Sequence, residues 1–113
     1  MTSDPARLDA LYREAVMLAD SARGWFDGPG KPWAAAQPVA ARARIATESL
    51  AITARLMRVI AWALHPGHAS DTAPLLRDTT EPPFPPDHPL AGTPGELIAQ
   101  ASRRLDIALK DLA

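Results

Sequence analysis

The stretch from Val39 to Leu64, VAARARIATESLAITARLMRVIAWAL, decides the fold. Placed on a helical wheel at about 100° per residue, Val59, Ile52, Ala63, Ile45, Leu56, Ile60, Thr53, Leu64, Ala46, Met57 and Leu50 fill a continuous arc of about 180°. A surface helix needs an apolar stripe only a little wider than about 100°. The stretch therefore predicts a long helix, about 39–65, with more than one neighbour. It is either the central helix of a bundle or is shared between a bundle and a second subunit. The opposite arc carries Thr47, Arg58, Arg44, Arg55 and Glu48, and Trp62 lies one turn beyond Arg58. His65-Pro66-Gly67 supplies the stop.

Working outward, residues 5–27 repeat the amphipathic pattern through Leu8, Leu11, Tyr12, Ala15, Leu18, Ala19, Ala22 and Phe26. Asp4 suits the N-cap and Pro5 the first helical position. Gly28-Pro29-Gly30 ends this helix, and Pro32 and Pro38 argue for a loop over 28–38. A third helix over 94–112 shows Leu97, Ile98, Ala101, Leu105, Ala108, Leu109 and Leu112 on one face, with Ile107 off it as an exposed contact. Thr93-Pro94-Gly95-Glu96 fits a capping box. Residues 66–92 hold most of the proline-rich run and predict a long connector, packed on the helices through Leu75, Leu76, Phe84 and Leu90 or else mobile. The expected architecture is a single domain over 1–113: an all-α three-helix bundle with a proline-rich connector between helices two and three.

Composition agrees. Of 113 residues, 23 are alanine and 13 leucine, against eight valines and isoleucines together. Strong helix formers thus outnumber the β-branched aliphatics that favour strands. Seven of the 12 prolines fall between Pro74 and Pro94, which no helix interior accommodates. The net charge of -1 supplies no field for nucleic acid or an anionic membrane. There is no cysteine, which fits a reducing cytoplasm. The longest apolar run, Val59 to Leu64, is far short of a membrane span. The acidic start MTSDPARLDA lacks the apolar core of a secretory signal.

No catalytic, cofactor-binding or metal-binding set emerges. His65 and His68 have ligand-like spacing, but a Pro-Gly break separates them and nothing completes a site. His88 is read as a loop residue. Ser49 and Thr53 lie on or beside the apolar arc without a nearby base, so their hydroxyls are expected to bond backbone carbonyls one turn back. Glu48 is read as an ion-pair partner of an arginine, with Arg44 at i−4, rather than as a general base. The Pro82–Pro89 run is read as a stiff connector, the alternative being a ligand for an aromatic groove on a partner. Arg55, Arg58 and Trp62 are the sharper feature. Trp and Arg are enriched at binding hot spots, so these three are the candidate partner-binding residues. The competing reading covers Trp62 with the proline segment and pairs the arginines with acids of the other helices.

Helix two also carries a family resemblance. Glu48-Ser49, then Thr53-Ala54-Arg55-Leu56-Met57, then Trp62 and Leu64 resemble the signature of a bacterial family whose best-known member is the regulator of CtrA degradation, RcdA. The first helix is similar through Ala15, Leu18, Ala19 and Trp25-Phe26-Asp27; the last matches more loosely through Pro94, Leu97-Ile98, Ser102 and Leu105. The resemblance implies a homodimeric three-helix bundle without enzymatic activity or cofactor. It implies a cytoplasmic adaptor that helps deliver cell-cycle regulators to the ClpXP protease alongside a response-regulator-like priming adaptor. The alternative is a homodimeric helical structural protein with no protease link. Two departures stand out. His65-Pro66-Gly67-His68 replaces the family's Gln-Arg-Ala and Gly-Glu stretch. The sequence also stops at Ala113, where family members often carry a flexible tail; if that tail carries or presents substrate, a different partner set or a loss of delivery activity is expected.

Overall fold

The computed structural model describes residues 5–64 and 82–112. These form four helices: α1 (Pro5–Phe26), α2 (Gly30–Ala35), α3 (Val39–Leu64) and α4 (Pro94–Leu112). The all-α class stands, with no strand among the described residues. The expected three-helix bundle does not, because the loop read over 28–38 contains α2. Asp4, His65, His68, Leu75 and Leu76 lie outside the described residues.

The extra helix has a simple cause. Pro32 is the third residue of α2, where backbone donors have no acceptor within the helix, so its missing N–H costs nothing. Its carbonyl and that of Trp33 both accept from Ala36 at 3.2 Å. Gly30 permits the turn from α1 into α2. A Cβ at Gly30 would sit 2.7 Å from the Trp25 carbonyl oxygen and 2.8 Å from its ring. The Trp25 ring also lies 5.7 Å from that of Trp33 and 4.9 Å, edge-on, from that of Phe26. This aromatic corner fixes the end of α1 against α2.

α1, α3 and α4 each pack against the other two. Their shared core holds Leu8 and Ala15 of α1, Ile52, Leu56, Val59 and Trp62 of α3, and Ile98, Ala99, Leu105 and Leu109 of α4. Pro38 precedes α3 and its carbonyl accepts the Arg42 N–H at 2.9 Å. No acidic side chain in the first turn and no basic one in the last complements the dipole of α3. Its order therefore rests on tertiary packing rather than capping.

The described part of the connector lies on the bundle. Phe84 packs against the core, and Leu90 is fully buried. The turn that seats Leu90 is closed by bonds from His88 to Pro85 and from Ala91 to His88. Gly92 takes a φ of +81°, open to glycine at little cost. The cap of α4 is shifted from the expected box. Thr93 Oγ1 accepts from Gly95 N–H at 3.1 Å, and Glu96 Oε1 accepts from Gly92 N–H at 3.0 Å rather than from Thr93. The Thr93 N–H and hydroxyl both turn back to the Leu90 carbonyl, which locks the cap to the buried leucine.

Candidate functional site

The buried side of α3 is not the centre of its apolar arc. Glu48, Arg55 and Trp62 follow one another at steps of seven on the arc read as polar, and all three are buried. They face α4, which presents Ser102 and Asp106, also buried, beside Ala99. In exchange Leu97, expected on the inner face of α4, is exposed. The α3–α4 contact is thus partly an ionic seam, and that turns the buried side of α3 away from the face that hydrophobicity alone selects.

Two carboxylates organise the seam. Glu48 receives Arg103 in bidentate fashion, at 2.9 and 3.1 Å, and Arg55 at 2.9 Å. The same Arg55 nitrogen donates to Ser102 Oγ at 3.0 Å, and that hydroxyl passes its own hydrogen to the Ala99 carbonyl at 2.8 Å. Asp106 receives Arg58 through two bonds of 3.1 Å and Lys110 at 3.3 Å. Burial alone would push the Glu48 carboxyl up, but the hydrogen bonds and charges of Arg103 and Arg55 hold it below its usual value. Removing one member of such a network strands its partners' charges in a low-dielectric interior.

The three candidate partner-binding residues thus take part in contacts within the bundle. Arg55 is 2 % exposed and Trp62 7 %, and Arg58 spends its guanidinium on Asp106. A partner docking on this surface meets none of the three as a free side chain. Arg55 pairs with Glu48 of α3 and Arg58 with Asp106 of α4. The nearest expected partner of Glu48, Arg44, instead lies 3.9 Å from Asp87 in the connector.

His88, read as a loop histidine, is buried. Its Nδ1 accepts the Leu90 N–H at 3.1 Å, and its ring lies 4.9 Å from that of Phe84. Burial and the nearby cations of Arg44 and Arg103 keep its pKa below the ordinary value, against the opposing charge of Glu48. Neutral His88 thus closes the turn that seats Leu90 and, through a bond with the Arg44 backbone, meets α3. Among the described residues, no group of three or more acidic or histidine side chains is placed to hold a metal ion.

The other half of the motif faces outward. Val39 and Leu50 are each 72 % exposed and Met57 and Leu64 each 57 %, and Ala46 and Thr53 are exposed between them. Thr53 Oγ1 donates to the Ser49 carbonyl at 3.2 Å, the back-bond expected for it. Beside this stripe an open groove runs between α3 and α1, bounded by Ser49, Thr53, Met57 and Ile60 on one wall and by Ala19, Ala22 and Phe26 on the other. Small side chains on both walls allow close approach of another backbone. The residues quoted for the family resemblance therefore divide: Glu48, Arg55, Leu56 and Trp62 hold the bundle, while Ser49, Thr53 and Met57 are exposed or line the groove. Sequence reasoning found the wide arc that contains this surface; it did not find that Glu48, Arg55 and Trp62 on the opposite arc are buried.

No helix among the described residues is long and apolar enough to cross a membrane. No curated protein and no solved structure matches the chain. A family match does cover α1 to α3 and stops short of α4, so Ser102, Arg103 and Asp106 of the seam lie beyond it: the match spans residues 2–69, and the chain belongs to the family described as protein of unknown function, DUF1465.

Proposed function

We propose that this protein is a non-catalytic, cytoplasmic adaptor of the RcdA type that acts as a homodimer and assists delivery of regulatory proteins to the ClpXP protease. The observation that carries the reading is the exposed apolar stripe on α3. Its exposed residues are Ala46, Leu50, Thr53, Met57 and Leu64, and half-buried Ile60 completes the alternating steps of four and three residues between them. That spacing forms a straight seam on which a second helix can pack. A second copy offers the same seam, and a two-fold axis along it makes the contact self-complementary. The resemblance of the α3 motif to that of RcdA supports the link to regulated proteolysis.

Degradation reconstituted from purified parts tests the proposal. The protein is added to ClpXP, a response-regulator-like priming adaptor and a cell-cycle regulator, and regulator turnover is followed. The expected result is faster turnover that disappears with Leu50→Asp/Met57→Asp. Unchanged turnover together with no binding to protease, priming adaptor or regulator refutes the adaptor role.

A further inference from the structure

A second concave surface lies between α4 and the start of the described connector. It is a groove of about 410 Å³ walled by Pro82, Pro83 and Phe84 and by Arg103, Arg104 and Ile107 of α4. Its walls are held in place before anything binds. Phe84 sits against the buried His88 ring at 4.9 Å, and its face carries the Arg103 guanidinium at 5.4 Å. Arg103 is itself anchored by Glu48. Such preorganisation removes much of the ordering cost of binding. At the rim Ile107 is 59 % exposed, an apolar side chain outside the helix's inner face. Arg104 is exposed and makes no ion pair among the described residues. The one carboxylate lining the groove, Asp106, is buried and turned to Arg58 and Lys110. An incoming ligand thus meets an aromatic and aliphatic floor and an outward cation.

We propose that this groove docks a short extended peptide of a partner protein in which an acidic residue stands beside a bulky apolar one. The apolar side chain rests against Phe84 and Ile107, and the carboxylate pairs with Arg104. Guanidinium suits this role because its planar fork donates two parallel bonds to a carboxylate. The groove volume lies in the range that small ligands occupy, enough for one or two side chains. For its biological use the inference rests on the adaptor reading. Its test needs neither protease nor dimer, so each can fail alone.

The probe is a fluorescein-labelled peptide of alternating Glu and Leu, with a Lys-and-Leu peptide as its counterpart, titrated with the full chain and read by fluorescence anisotropy. The acidic peptide is expected to bind saturably and more weakly as salt rises, and the basic one not at all. Arg104→Glu and Ile107→Asp, both at exposed positions, are each expected to weaken binding about tenfold, since each replaces an attractive contact with a repulsive or desolvated charge. Arg42→Glu makes the same charge change elsewhere on the surface and is expected to leave affinity unchanged. Circular dichroism verifies that each variant keeps its helix content. The proposal is overturned if the acidic peptide does not saturate, if the basic peptide binds equally well, or if Arg104→Glu binds as tightly as Arg42→Glu.

Discussion

Arg55 on α3 donates to the Ser102 hydroxyl on α4 at 3.0 Å, a buried bond between residues 47 positions apart. Glu48 completes the contact by receiving both Arg55 and Arg103. The two most legible helices are therefore joined by charge as well as by hydrocarbon. Arg55→Ala leaves Glu48 short of a cation and opens a void among packed side chains. A loss of about 3–5 kcal/mol is expected, the cost of breaking a buried ion pair from one side. Glu48→Gln should lose a comparable amount by stranding Arg55 and Arg103. Denaturant midpoints measured on both variants check this, and a shift no larger than that of an exposed arginine variant would contradict it.

Stability should fall in two stages on acidification. Glu48 and His88 both have folded pKa values below their ordinary ones, 4.5 and 6.5. In each case the unfolded chain takes up the proton more readily, so stability is present above the ordinary value and is lost as pH falls through the folded one. The melting midpoint should decline first below 6.5, as His88 is protonated and its Nδ1 can no longer accept from Leu90. A second decline should set in below 4.5 as Glu48 is neutralised. His88→Gln should remove the first stage and keep the second.

Gly30→Ala tests the junction that creates α2. The new methyl group has no room beside the Trp25 carbonyl and ring. A loss of about 1–3 kcal/mol is expected, as for other forced overpacking. Near-ultraviolet circular dichroism should report it as a weakened tryptophan signal from the Trp25–Trp33 pair.

The α4 cap is a separate device. Thr93→Ala removes the acceptor for Gly95 N–H and the donor to Leu90. About 1 kcal/mol should be lost, as for a helix N-cap. Amide hydrogen exchange should show this loss concentrated in the first turn of α4 and around Leu90.

The long helices were readable because periodicity survives in any window that spans several turns. The ends of α3 and α4 fall at or within a residue of where the punctuation of prolines and glycines puts them. Three features were not readable. α2 was hidden because proline inside a first turn looks the same in sequence as proline that breaks a helix. The rotation of α3 was hidden because Glu48 and Arg55 look like solvent-facing charges until Ser102 and Arg103 are brought opposite them from a distant part of the chain. His88 was hidden for the same reason, since its burial depends on Phe84 and on α3 and α4 closing around it. Hydrophobicity identified the helix with the wide arc; only tertiary contact shows which part of its circumference is buried.

The central claim is that α3 holds the chain together with its Glu48–Arg55–Trp62 face and meets a second copy with its Leu50–Met57–Leu64 face. Light-scattering mass measurements of the native protein and of Leu50→Asp/Met57→Asp test it most directly. The account expects a two-chain mass for the native protein and a single-chain mass for the variant, with helix content retained because both altered side chains are exposed in the single chain. A single-chain mass for the native protein at high concentration, or an unchanged two-chain mass for the variant, would contradict it.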